Sequence, residues 1–143
     1  MTIALKIGEL ARLTGVPVET VRYYEREGLM EAPARSQGNY RLYSAAQVEQ
    51  LQFIRHCRLL DMTLDEIRAL LSLRAQPEQS CGGVNALLDR HMEHVAARIR
   101  DLTLLQAQLT ELRQRCPAVQ TVRQCEILHS LATPPAAPRH AAK

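Results

Sequence analysis

From Val84 to Arg115 the chain keeps a seven-residue beat of apolar positions. Leu88, Val95, Leu102 and Leu109 recur at that interval, with Val84, Met92 and Ile99 in the complementary register early and Leu105 and Leu112 later. Charged and polar residues fill most other positions, and no glycine or proline interrupts. A stripe of this period held over about four heptads predicts one long helix that pairs as a coiled coil. The alternative is an amphipathic helix lying on its own domain. It needs a covering surface, and the preceding residues, with a small core of their own, offer little.

Upstream the pattern is broken into shorter pieces. Ile7 to Leu13 repeats its apolar residues at helical spacing, and Thr14-Gly15 stops it. Val16-Pro17 opens a second helix over Val18 to Glu27, with proline where a helix start tolerates it and Gly28 as its end. Leu29 to Tyr43 contains a proline, a glycine and an asparagine between short apolar runs, and "APARSQGNYRLY" predicts a small hairpin or wing. Ser44, with Gln47 three positions on, caps a helix running to about Leu60. Thr63, with Glu66, caps another that ends before Pro77. The predicted fold is therefore mainly α with a small β wing. Residues 1–75 form a winged helix-turn-helix unit, 81–115 the long antiparallel coiled-coil dimerisation helix, 116–131 a loop with a short C-terminal helix, and 132–143 a disordered tail rich in proline and alanine.

Composition narrows the function. The chain has 143 residues and is 46% hydrophobic, which supports a core, but only 3% aromatic, and every aromatic lies at or before Phe53. Two physically different parts are expected. The net charge of +3 permits nucleic-acid binding without demonstrating it. No basic start leads into an apolar run, and no apolar stretch approaches the length of a membrane span, so the expected location is the cytoplasm with no membrane partner. No nucleophile–base pair, phosphate loop or paired carboxylates stand out, and an enzyme is not expected.

In a reducing compartment four cysteines read as thiols or thiolate ligands. Cys57, among apolar helical residues in "FIRHCRLLDM", reads as a small core residue. Cys81, Cys116 and Cys125 lie at breaks or loops, flanked by Ser, Gly, Pro, Gln or Glu. Cys81 precedes the long helix and Cys116 follows it, 35 positions on, so the helical rise separates them by about 50 Å. They can meet only if two chains pack antiparallel about a two-fold axis, which brings Cys81 of one beside Cys116 of the other. Cys125 reaches the same place if the loop "PAVQTVRQ" turns back. Three thiolates suit a soft divalent ion such as cadmium, lead, mercury or zinc, and not magnesium or calcium. His91 and His94, spaced i, i+3, could form a candidate second metal site with His140 of the tail. The reading preferred for them is polar positions along the dimer helix.

The N-terminal unit points to DNA. A short helix, the turn "TGVP" and "VETVRYYEREGL" follow the helix-turn-helix pattern, with the second helix in a major groove. Arg22 and Tyr23 stand on its exposed face, and the wing loop offers Arg35, Asn39, Tyr40 and Arg41 to phosphates and sugars. Tyr24 and Tyr43 suit either contact or packing. A homodimer would present two such heads to a pseudo-palindromic site in double-stranded DNA.

The stretch "KIGELARLTGVPVETVRYYEREGLMEAPARSQGNYRLY" resembles the DNA-binding domain of the MerR family of transcriptional regulators. The resemblance continues through "LQFIRHCRLLDMTLDEIRALLSLR" into "CGGVNALLDRHMEHVAARI" and "LTELRQRC", to about Leu131. Within that family the chain is most similar to the cadmium- and lead-responsive regulators. That resemblance implies Cys81, Cys116 and Cys125 as ligands and Cd2+ or Pb2+ as effector. Mercury-responsive members share the loop spacing, so Hg2+ stays open. Zinc-responsive members carry a further histidine and cysteine in the loop, absent from Pro117 to Gln124, which leaves Zn2+ as an alternative. The resemblance further implies that the metal-bound dimer underwinds and kinks an overlong promoter spacer for RNA polymerase, an indirect readout driven by deformation. In such a mechanism "EILHSL" could relay loop ordering to the DNA-binding unit. A thiol redox sensor built on Cys116 and Cys125 is the rival function.

Overall fold

The computed structural model describes residues 4–134. His140 and most of the predicted tail lie outside the described residues. The order of elements is α1 (Ile7–Thr14), α2 (Val18–Arg26), β1 (Ala34–Arg35), β2 (Arg41–Leu42), α3 (Ala45–Leu59), α4 (Leu64–Arg74), α5 (Gly82–Gln114), a short 3-10 turn (Val122–Gln124) and α6 (Glu126–Ala132). The strands pair antiparallel, Ala34 with Leu42 and Arg35 with Arg41. Cα-contact boundaries divide the chain within α5, one unit ending at His91 and the other beginning at Met92.

Local chemistry sets the boundaries of the first unit. Gly15 ends α1 in the left-handed region, φ 74°, where a side chain would be strained, and its amide caps Ala11. Ser44 and Thr63 each accept from the amide three residues on, and Gln47 and Glu66 return the bond to the cap amides. The wing closes onto the chain start through Leu5 and Tyr43, whose backbones exchange two hydrogen bonds of 3.0 and 2.8 Å.

One core holds this unit together. Leu10, Val21, Leu29, Tyr43, Leu51, Ile54 and Ile67 are almost completely buried. Cys57 lies among them at 5% exposure, as a packing residue. Tyr24 and Tyr43, which the sequence left between two roles, are both core residues. Arg68 of α4 ties the end of α2 down, donating to the Glu27 carbonyl at 2.7 Å and to its carboxylate at 3.0 Å.

The start of α5 departs from the heptad reading. Val84 was assigned to the stripe, yet it packs against the core of the first unit beside the buried Leu87. His91 is not a solvated position on a dimer helix. It is 8% exposed, with Nε2 2.8 Å from the Leu60 carbonyl and Nδ1 3.1 Å from Glu66 Oε2. The first three turns thus belong to the N-terminal core, and helical spacing from Val84 puts Leu87 and His91 on the face that meets it. The stripe itself is exposed, with Met92 at 65%, Ile99 at 59% and Leu109 at 57%. An apolar row this open in a single chain marks an interaction surface.

The His91 contacts carry a pH signature. The Leu60 carbonyl, then the carboxylates of Glu66 and Asp61, raise the imidazole above its ordinary range against the effect of burial. Glu66 is held below the usual carboxylate range: burial pushes it up, and the Thr63 backbone and His91 outweigh that. A raised histidine contributes stability fully below its unfolded value and loses it as pH climbs through the folded value. In metal-free protein, the melting-temperature advantage of wild type over His91→Gln should be larger near pH 6 than near pH 8.5. Scanning calorimetry in chelator measures it, and an advantage that grows with pH would contradict the pairing.

Candidate DNA interface and metal centre

The reading helix α2 buries Val21 and Tyr24 and leaves Arg22 and Tyr23 facing outward, Tyr23 at 41% exposure. Arg22 pairs with Glu19 at 3.3 Å, one turn away on an exposed surface, so the guanidinium is steadied without being buried. The Arg26 guanidinium lies 6.0 Å from the Tyr23 ring.

The wing tip is a built turn. Ser36 receives from the Asn39 amide and donates to the Tyr40 carbonyl, at 2.9 and 2.8 Å. Asn39 adopts φ 65°, a left-handed conformation that asparagine tolerates. Gly38 permits a close approach, since a Cβ there would stand 2.9 Å from the Tyr40 ring. Arg35 donates to the Asn39 carbonyl at 3.2 Å, which holds its guanidinium at the tip. Arg35, Asn39 and Tyr40 are exposed together. Arg41 is only partly exposed, and its Nη1 donates to Glu25 at 3.1 Å.

Two further cations were not singled out by the sequence. Lys6 Nζ sits 4.5 Å from the Tyr40 ring centroid, joining the chain start to the wing tip. The Arg55 guanidinium lies over the α1–α2 turn, 3.5 Å from where a Cβ on Gly15 would be. Neither has a linear signal, because each partner is far along the chain.

The sulfur atoms occupy both ends of α5. Cys81 is exposed just before Gly82, with the Asn85 amide nitrogen 4.0 Å from its Sγ. Beyond Gln114 the chain turns back on itself. Arg113 donates to the Cys116 carbonyl at 2.8 Å, Arg115 to Ser130 Oγ at 2.7 Å, and Gln120 to the Gln124 carbonyl at 3.1 Å. The loop thereby brings Cys116 and Cys125 to one cavity of about 280 Å³, lined also by Arg113, Pro117, Gln120 and Ile127.

The Cys125 thiol is lowered from its ordinary value. The Leu128 amide contributes most and Ile127 and Cys116 add to it, against burial and the Glu126 charge. The Gln120 side-chain nitrogen approaches Cys116 Sγ at 3.8 Å. No carboxylate is among the residues that line this cavity. Two sulfurs, one predisposed to ionise, suit a thiophilic ion and not a hard one.

His91 is committed to Glu66 and Leu60, and His94 is exposed one turn further along α5. The third histidine of that set, His140, is outside the described residues.

The family model "MerR HTH family regulatory protein" matches residues 5–73, and "MerR, DNA binding" matches residues 48–112. The chain is a member of the MerR family. It is 44% identical over 111 residues to the ZntR homolog of Haemophilus influenzae, covering 78% of this chain and 82% of that one. It is 37% identical to the mercuric resistance operon regulatory protein of Bacillus cereus, covering 88% and 96%. Among solved structures it resembles PbrR691 from Ralstonia metallidurans in complex with lead(II), with TM-score 0.77, 51% identity and coverage of 90% and 99%. As a MerR-family protein it is a DNA-binding transcriptional regulator, and the helix-turn-helix with its two-stranded wing is the head that reads DNA.

The MerR head separates contacts by type. Arg35, exposed at the wing tip, suits a backbone phosphate. Arg35→Ala should weaken operator and unrelated DNA alike and lower the salt dependence of binding by about one counterion. Arg22→Ala should also relax sequence preference. Fluorescence anisotropy across a salt series distinguishes them, and a purely sequence-selective loss at Arg35 would contradict its assignment.

Proposed function

We propose that this regulator responds to a soft divalent ion, Cd2+ or Pb2+, with Hg2+ or Zn2+ as alternatives. The ion is held by Cys81 of one protomer and by Cys116 and Cys125 of the partner subunit, twice per homodimer. The observation that carries this reading is the meeting of Cys116 and Cys125 at one cavity beyond the end of α5. The 33-residue helix keeps Cys81 of the same chain at its far end. Likeness to PbrR691 in complex with lead(II) supports the lead assignment. The exposed stripe supplies the antiparallel contact.

In this reading the dimer sits on a pseudo-palindromic operator and the ion biases one of two dimer geometries, distorting the promoter for RNA polymerase. A second site at His91, His94 and His140 would require His91 to give up Leu60 or Glu66. The rival is a thiol switch, favoured by the lowered Cys125 thiol next to Cys116.

Competitive titration of Cd2+, Pb2+, Hg2+ and Zn2+ under strong reductant should give thiolate-to-metal charge-transfer bands at one ion per chain. Cys81→Ser and a Cys116→Ser, Cys125→Ser double variant should each lose tight binding. Mixed and refolded together, they should regain one full site per heterodimer. Failure of the mixture to recover would defeat the shared site, and a promoter response to oxidant alone would favour the thiol switch.

The relay has its own test. Deleting Glu126 to Leu131 should leave ion affinity within about tenfold of wild type while abolishing metal-dependent activation. In vitro transcription checks this, and an unaltered response would exclude α6 as the route.

A further inference from the structure

The reading helix carries an acid where an acid is costly. Glu25 lies one position before the end of α2, its side chain 11% exposed, on the head that must approach a polyanion. A carboxylate there repels phosphate, so its presence needs a physical reason.

Both carboxylate oxygens are engaged, and by residues of one strand. Oε2 accepts from the Tyr43 hydroxyl at 2.5 Å, and Oε1 accepts from Arg41 Nη1 at 3.1 Å. Arg41 and Tyr43 are two positions apart, so their side chains leave the same face of the wing strand. Tyr43 is fully buried and its backbone is paired on both sides with Leu5. The strand end is therefore fixed, and Glu25 fixes α2 to it. Burial and then the Glu25 carboxylate push the Tyr43 hydroxyl up to about 12, which keeps it a donor throughout the physiological range.

The pairing also settles a charge conflict. Arg41 stands opposite Arg35 in the hairpin, and like charges directly opposed destabilise a ladder. Glu25 neutralises Arg41 and turns one edge of its guanidinium inward, leaving the other donors on a side chain still 32% exposed. Arg35 keeps its charge at the tip.

We infer that Glu25 is the positioning residue of the DNA-reading head: it clamps the wing strand to α2 and orients Arg41 so that groove and backbone contacts form together. It acts through Arg41 and Tyr43 and touches no DNA. This rests on the DNA-binding role of the MerR fold and is independent of which ion the protein senses.

The test exploits sign. Removing a negative charge from a DNA-binding face strengthens binding when charge alone matters. Glu19→Gln, on the same helix at an 81% exposed side chain, should behave that way and bind DNA as well as wild type or better. Glu25→Gln should do the reverse, weakening operator binding about tenfold, while affinity for unrelated DNA holds or rises. In an Arg41→Ala background the further loss on Glu25→Gln should shrink to less than about twofold, because the two act as one unit.

Hydroxyl-radical footprinting of the full-length dimer should lose protection at the phosphates flanking the half-site while protection of the major-groove bases remains. Tyr43→Phe, which keeps the buried ring, should reproduce a milder form if Glu25→Gln proves poorly folded. If Glu25→Gln binds the operator as tightly as wild type, or its cost adds fully to that of Arg41→Ala, the inference is overturned.

Discussion

The rise of an α-helix, about 1.5 Å per residue, governs what α5 can do. Its 33 residues separate the Cys81 end from the Cys116 end by far more than any ion's coordination sphere. A chain with thiols at both ends of such a rod cannot close a three-sulfur site alone. It can supply two halves of different sites, and antiparallel pairing turns that limitation into an obligation to dimerise. Two-fold symmetry then makes each site bridge two subunits, so occupancy and dimer geometry are linked without any added device.

The same helix divides its labour along its length. Val84, Leu87 and His91 root it in the first core, and from Met92 onward its apolar row is left open. Rooting matters because a stress at a hinged joint is dissipated before it reaches DNA. His91 sits where α5 leaves the core, and its two nitrogens reach both the turn after α3 and the first turn of α4. Leu60 and Glu66 flank the Thr63 cap, so the anchor is shared with a helix start.

What the sequence showed were the features written in local chemistry. The caps at Ser44 and Thr63, the stop at Gly15 and the proline-to-glycine wing are each decided within a few residues, and the structure places them where the spacing put them. The loop cysteines were visible because thiols at polar breaks have no packing reason to be there. The Val84 and His91 assignments failed for a definite reason. A heptad template finds the face with the strongest period, and the first turns of α5 use a neighbouring face for an intramolecular partner. Glu25 and Lys6 were invisible because their partners, Arg41 and Tyr43 for one and Tyr40 for the other, come from distant positions. Only the fold writes those pairs.

The sulfur end of the molecule joins chemistry to structure in the same economical way. A helix as short as α6, seven residues, has little stability of its own. Its first amides point at Cys125, and the amides of Leu128 and Ile127 lower that thiol. Linkage requires the converse: an anionic sulfur at that position stabilises the start of α6, and a protonated one does so less. On the proposed reading an ion that takes the proton's place keeps the sulfur anionic, while Arg115 to Ser130 pins α6 back to the end of α5. The segment carrying Ile127, Leu128 and Leu131 is thereby ordered by the state of one sulfur atom. A neutral thiol would leave the same segment held by little more than side-chain hydrogen bonds.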